Sequence, residues 1–207
     1  MKSMKYSLGN MVIAIVGMPG SGKSFAVDHL VGVTGGELVY FGGVVIEELE
    51  TLGLEINEEN EKRVRMQLRR DHGMEAMATK RLPKIRSILS EGKPVIIDGI
   101  YSYSELKYLR PIFKNHLCLI SLHSSFVRRL ARLMNRPRRP LTLQEVIDRD
   151  RMEIEEMEKG GPIALADFHI VNEGTIENLK TELSDIVLNR LPNHFSNLEE
   201  LHYADKV

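Results

Sequence analysis

The sequence predicts an α/β domain: a five-stranded parallel sheet with helices on both faces, plus two helical insertions. Two observations carry this. Short, continuous apolar runs near residues 11–16, 37–41, 94–97, 117–122 and 168–171 alternate with segments of helical period, the pattern of strands buried on both sides. The first run leads through a glycine-rich loop straight into a helix, as α/β nucleotide sites require. A chain of 207 residues suits one such domain.

In order, residues 11–16 form the first strand. The loop Gly17-Met18-Pro19-Gly20-Ser21-Gly22-Lys23-Ser24 follows, then a helix over 23–31. Residues 37–41 are a second strand closed by Gly42-Gly43, and 44–52 is helical. Asn57 is an N-cap for a charged helix over 58–72, with Gly73 as its stop. Residues 74–89 are helical, with Pro83 either kinking that helix or opening a new one.

The third strand, 94–97, ends at Asp98-Gly99. Ser102 and Glu105 form a capping box for a short helix that stops near Pro111. Residues 117–122 are the fourth strand, and Ser124 or Ser125 caps a helix through 134. Thr142 and Glu145 are a second capping box, for a helix running to about 159 and ended by Gly160-Gly161-Pro162. Residues 168–171 are the fifth strand and 175–188 the last helix. No role is assigned to the tail from Pro192.

Composition excludes several classes. Hydrophobic content of 43% and charged content of 28% are ordinary for a soluble globular chain. A net charge of −1 gives no bulk electrostatic case for nucleic acid. The single cysteine, Cys118, excludes an internal disulfide and fits a reducing cytosol, so the expected location is cytoplasmic. No apolar run approaches the roughly 20 residues of a membrane span. The first ten residues read as a short leader or frayed arm and not as a signal peptide. His116, His123 and His169 lack metal-ligand spacing.

The loop Gly17–Ser24 matches G-x-x-x-x-G-K-[ST] at each fixed position. Glycines let backbone N–H groups converge on anionic phosphates, and the following helix adds its positive end. Lys23 would reach the β- and γ-phosphates, and Ser24 would hold Mg²⁺. Asp98 ends the buried run PVIID at the strand's carboxyl edge, where ligands of open α/β sheets bind. A carboxylate there can hold Mg²⁺ through water; the alternative is a plain Asp-Gly turn. ATP and Mg²⁺ are thus the expected cofactors.

Arg128, Arg129, Arg132, Arg136, Arg138 and Arg139 crowd one segment. Arg128, Arg132 and Arg136 share a helix face, and Arg149 and Arg151 follow on the next helix. Arginines carried on a mobile lid would stabilise charge on a transferring phosphoryl group and exclude water. The same residues could instead be a solvated face paired with Asp148, Asp150 and nearby glutamates.

The stretches VIAIVGMPGSGKS, LRRDHGMEAMA, VIIDGI, RLARLMNR and ALADFHIVNEGTIENL together resemble adenylate-kinase-like P-loop kinases, above all archaeal-type adenylate kinase-related proteins. Dephospho-CoA kinase is a more distant likeness. The resemblance covers about residues 11–185 and implies a three-layer P-loop kinase sandwich. Its core would be 11–41, 94–127 and 160–190, with an acceptor-binding insertion at 42–93, a lid at 128–159 and a tail at 191–207. It implies that Arg132 and Arg136 touch ATP phosphates and that Asp98 opens the acceptor-site loop. It also implies that the loop holding Asn172 and Gly174 packs near the base of ATP. Gly42, Arg65, Arg69, Asp98, Gly99 and Arg149 make up the candidate acceptor set.

One departure stands out. Such kinases follow the second strand with Gly-Asp and an arginine three residues on, whereas this chain has Gly42-Gly43-Val44-Val45-Ile46. Either Arg65, Arg69 or Arg70 takes over, or the acceptor is unusual, or activity is weak. The expected function is ATP-dependent phosphoryl transfer to a small nucleotide-like acceptor, foremost a nucleoside monophosphate. Dephospho-CoA as acceptor, and a nucleotide-binding regulator with little kinase activity, are the rival readings.

Overall fold

The computed structural model describes residues 8–137 and 139–194. Arg138, most of the expected leader and the tail from 195 lie outside the described residues.

Five parallel strands, β1 (Val12–Val16), β2 (Glu37–Tyr40), β3 (Val95–Asp98), β4 (Leu117–His123) and β5 (Phe168–Val171), line up in the order β2-β3-β1-β4-β5. The period-2 geometry of strands sorts their side chains between two cores. Val12, Ala14 and Val16 enter one cluster with Val95, Ile97, Leu117 and Leu119. Ile13, Ile15, Ile96, Cys118 and Ile120 enter the other. That two-sided burial is why these strands read as unbroken apolar runs and not as alternating ones. Burial also pushes the Cys118 thiol well above its ordinary range.

On the first face lie α2 (Gly43–Thr51), α3 (Glu58–His72), α4 (Ala76–Ser90) and α5 (Tyr103–Phe113). On the second lie α1 (Lys23–Thr34) and α9 (Ile176–Asp185). Between β4 and β5 the chain forms α6 (Phe126–Met134), α7 (Leu143–Glu155) and the short α8 (Gly160–Ala164). Helices α6 and α7 share a small core of their own, Leu133, Leu141 and Val146. Burying each such side chain is worth about 1.5–3 kcal/mol.

The helix starts follow the sequence signals. Asn57 accepts from the Asn60 amide at 2.9 Å, and Ser102/Glu105 and Thr142/Glu145 both form complete capping boxes. Ser125, not Ser124, caps α6.

Helix ends differ in two places, and of the two readings of Pro83 the new helix does not occur. Pro83 sits within a single α4. Pro111 does not stop α5, which continues to Phe113; burial of the Phe113 ring favours keeping the last turn despite the lost N–H. The helix expected to run to 159 ends at Glu155. There the Met157 amide returns to Met152 O at 3.2 Å and the Lys159 amide to Glu153 O at 3.1 Å, with Glu158 in the left-handed region at φ 54°. The segment Gly160-Gly161-Pro162 then opens α8 instead of terminating α7; proline costs nothing in a first turn, where no intrahelical N–H bond is made. Beyond α9, a wider helical turn at Ile186–Arg190 leads into a last helix, Leu191–His194. Among the described residues no helix is long and apolar enough to cross a membrane.

Candidate active site

The glycine loop leaves the carboxyl end of β1 and enters α1. Gly20 and Gly22 adopt φ 77° and 102°, conformations that tax a residue bearing a Cβ. A Cβ on Gly20 would meet Arg129 O at 2.9 Å, and one on Gly22 would meet Asn172 Nδ2 at 2.5 Å. The loop is therefore shaped both by its own backbone and by groups pressed against it from α6 and from the β5–α9 turn. Its concavity fits a polyphosphate, which needs close backbone approach. Ser21 Oγ is buried with no hydrogen-bond partner among the described residues.

Lys23 Nζ donates to Gly17 O at 2.9 Å and Met18 O at 3.0 Å, folding back across the loop. Burial, reinforced by the neighbouring Lys159, lowers its ammonium to about 7. Ser24 is exposed in the first turn of α1. Asp98, at the end of β3, is in register with Ile15 of β1 and Tyr40 of β2, one strand over from the loop. Burial raises its carboxyl while Lys23 and Lys159 pull it down. No cluster of three or more His, Cys, Asp or Glu forms among the described residues. A hard cation at Ser24 and Asp98 would therefore draw its remaining ligands from phosphate and water.

Two arginines of α6 brace the loop. Arg132 donates to Gly20 O at 3.2 Å, Ser124 Oγ at 2.9 Å and Asn172 O at 3.0 Å. Arg129 donates to Pro19 O at 3.1 Å and forms a two-point pair with Asp150 of α7 at 2.9 and 2.6 Å. Asn172 is buried and donates to Ser21 O at 2.8 Å. Its amide is thus committed to the loop, while Gly174 lies exposed beyond it. Arg136 stays away from the loop, with Nε directed at Arg139 O. Arg128 is exposed beside Glu173 at 3.6 Å. The tip of the α6–α7 hairpin instead reaches α3, where Arg139 pairs with Glu61 at 3.1 Å.

A cavity of about 290 Å³ opens between α3 and α7, walled by Arg65, Arg69, Arg70, Met66, Met74 and Met152. Arg69 Nε and NH2 are buried, with no hydrogen-bond partner among the described residues. Glu105 is fully buried, with one carboxylate oxygen taking the Tyr101 and Ser102 amides at 2.6 and 3.1 Å. Its other oxygen, Oε1, has no partner among the described residues. Burial lifts Glu105 to about 7, opposed chiefly by Arg69, and Glu105 is in turn the strongest charge acting on Arg69. Arg69 and Glu105 thus leave buried donors and a buried acceptor unpartnered among the described residues, each being the strongest charge that acts on the other.

Beside Gly43, just after β2, lies an arginine from α4. A Cβ on Gly43 would lie 2.5 Å from Arg81 NH2. Arg81 Nε donates to Tyr40 O at 3.1 Å and NH1 pairs with Glu47 at 2.8 Å. Gly42 packs against the Tyr40 ring, and Gly99, at φ 83°, turns against Tyr101. Arg149 pairs with Glu153 at 3.2 Å. Sequence reasoning passed over Arg81 and Lys159, read Glu153 only as one of the glutamates facing the arginines, and read Glu105 only as a helix cap. Asp150 was named as a partner of the arginine cluster on a solvated face, whereas the pair it forms with Arg129 is largely shielded.

Comparisons with known proteins accord with this layout. Residues 16–148 match the family model described as an AAA domain. A UPF0200 protein of Thermococcus kodakarensis is 34% identical over 180 residues, covering 86% of this chain and 96% of that one. A UPF0200 protein of Methanocaldococcus jannaschii is 36% identical over 187 residues, covering 88% and 92%. Among solved structures, a shikimate kinase from Acinetobacter baumannii in complex with shikimate superposes with a TM-score of 0.53 at 17% identity, covering 86% of this chain and 93% of that one. A gluconokinase from Sinorhizobium meliloti gives 0.51 at 15%, covering 95% and 98%. These neighbours share the fold of a five-stranded parallel sheet with helices on both sides; an adenylate-kinase affinity is not singled out by them. With its glycine loop, its sheet order and relatives matched along most of their length, the chain belongs to the UPF0200 family and carries the AAA-domain, P-loop kinase fold.

Proposed function

We propose that this protein transfers the γ-phosphoryl group of ATP to a small anionic acceptor, foremost a nucleoside monophosphate. The observation that carries the reading is the Gly17–Ser24 cradle with Lys23 folded across it, together with a cavity between α3 and α7 walled by Arg65, Arg69 and Arg70. The cradle would hold the donor's phosphates. The cavity suits an acceptor that brings negative charge of its own, because buried guanidinium donors left unpaired are costly.

In this mechanism Lys23 exchanges its carbonyl partners, Gly17 and Met18, for phosphate oxygens. Arg129 and Arg132 keep the loop in shape. Arg65 and Arg69 orient the acceptor, and Arg149, paired with Glu153, adds positive charge from α7. Ser24 and Asp98 would be the protein-side ligands of Mg²⁺, which when bound neutralises phosphate charge. Closure of the α6–α7 hairpin excludes water and brings Arg136 inward. No covalent intermediate is required; position and charge carry the step.

The test is ADP formation measured against all ribo- and deoxynucleoside monophosphates, with dephospho-CoA, gluconate and shikimate alongside. Stimulation by a monophosphate supports the reading. Stimulation by a polyol acid or dephospho-CoA alone replaces the acceptor. ATP hydrolysis that no acceptor stimulates replaces transfer with a regulatory role.

A further inference from the structure

We propose that Lys159 is a second lysine of the phosphoryl-transfer centre, supplying positive charge to the transferring group from beneath the turn that follows Asp98. The proposal rests on the kinase reading above.

Lys159 is 1% exposed, as buried as the β-sheet core. Its Nζ donates to Glu153 and lies 5.0 Å from the centre of the Tyr101 ring. Tyr101 is the residue against which the Asp98-Gly99 turn packs, so the ammonium sits at the carboxyl end of β3. Glu153 is shared: it also takes Arg149 Nε at 3.2 Å. Burial pushes its carboxyl up, but Lys159, Arg149 and Lys23 overcome this and hold it below its ordinary value. Lys159 is the strongest charge acting on Lys23, and the two lysines are the strongest charges on Asp98. Lys159 and Arg149 thus share the carboxylate of Glu153, and the charges of Lys23 and Lys159 act together on Asp98.

Burying like charges together in a poor dielectric is unfavourable. It is understandable where an anion is to be received. A purely structural account would have the pair close the loop after α7. That closure is already made by the backbone, through Lys159 N to Glu153 O at 3.1 Å and Met157 N to Met152 O at 3.2 Å. Loop closure also explains neither the second cation on Glu153 nor the approach to Lys23.

The step itself is simple to balance. The bond from the γ-phosphorus to the ADP oxygen breaks as one to an acceptor phosphate oxygen forms. A phosphate dianion acceptor brings no proton to remove, so Lys159 contributes its field and no proton.

The experiment compares the wild type with Lys159→Met, Glu153→Gln and the apolar pair Glu153→Met/Lys159→Met. Buried ion pairs replaced together by apolar residues are often tolerated, so the pair keeps the test alive if Lys159→Met alone fails to fold. Three readouts are taken: kcat for ADP formation with the stimulating acceptor, the Tm shift from β,γ-methylene ATP, and the Tm shift from ADP with aluminium fluoride. Expected is a kcat loss of tenfold or more, and loss of the fluoride-dependent shift, in both variants lacking Lys159. The methylene-ATP shift should persist, and Glu153→Gln should keep the fluoride-dependent shift. If the apolar pair keeps kcat within threefold and retains the fluoride-dependent shift, the proposal is overturned. Equal losses in Glu153→Gln and Lys159→Met would also overturn it, in favour of a clamp. If the wild type itself shows neither acceptor-dependent ADP nor a fluoride-dependent shift, the kinase reading falls and takes this proposal with it.

Discussion

Arg129 and Asp150 meet in a two-point ion pair, at 2.9 and 2.6 Å, that joins α6 to α7. The same guanidinium donates to Pro19 O at 3.1 Å, so the hairpin is coupled to the phosphate loop through one side chain. Both partners are largely shielded, with side-chain exposures of 9% and 14%. Removing either one strands the other in a poor dielectric, at a cost of about 3–5 kcal/mol.

Arg129→Met and Asp150→Asn should each lower unfolding stability by about that amount, measured in urea. The double variant should lose markedly less than the sum, with a coupling of about 1–3 kcal/mol. ATP affinity should fall further with Arg129→Met, which also removes the bond to Pro19. Additive losses would show that the pair does not join the two helices energetically.

Lys23 gives a prediction about protons. Burial and Lys159 lower its ammonium to about 7, so at pH 8 the free protein holds it mostly neutral. Phosphates arriving beside it favour the charged form and raise its pKa. ATP binding at pH 8 should therefore take up protons, approaching one per site, and progressively fewer as pH falls below 7. Calorimetry in buffers of differing ionisation enthalpy measures this directly. Lys23→Met should abolish the lysine's share of the uptake and all acceptor-dependent transfer while leaving the fold intact. Proton release in the wild type at pH 8 would contradict the placement of Lys23 at the phosphates.

Gly22 tests the cradle. Its φ of 102° and the 2.5 Å approach to Asn172 Nδ2 leave no room for a methyl group. Gly22→Ala should cost about 1–3 kcal/mol of stability and remove detectable binding of β,γ-methylene ATP. Asn172→Ala relieves the clash but frees Ser21 O, weakening the analogue by about fivefold or more. Combined, the two changes should cost less stability than their sum, because the second removes the atom that the first collides with.

How far the sequence was legible follows from distance along the chain. The cores of β1, β3 and β4 announced themselves because both sheet faces are covered, and Asn57, Ser102 and Thr142 marked helix starts through bonds spanning three residues. The phosphate loop was legible for the same reason: its chemistry is local. The ends of α5 and α7 were not, because a buried Phe113 ring and a left-handed Glu158 decide them. Asp150 was legible as a partner for the arginine cluster, but not that Arg129 alone takes it or that the pair is shielded, since that depends on how α6 packs on α7. Arg81 was invisible as the group beside Gly43, because only the packing of α4 on β2 brings it there. Lys159 followed a helix expected to continue through it, and its partners become apparent only once α7 ends early.

Arg69 and Glu105 separate recognition from stability. Each is the strongest charge the other feels, and each leaves buried polar atoms unpartnered. If those donors await the acceptor's anionic group, Arg69→Met should raise the acceptor KM by about 10–100-fold, the equivalent of 1.5–3 kcal/mol for a charge-assisted contact. The KM for ATP should stay within about threefold. Arg69→Met should also destabilise the fold, because Glu105 then loses the main charge opposing its burial. Adding Glu105→Gln removes that buried carboxylate and should restore much of the stability. It should not restore the acceptor KM, since the donors remain absent. Recovery of both together in the double variant would mean that Arg69 serves only to neutralise Glu105, and that the acceptor is held by other residues.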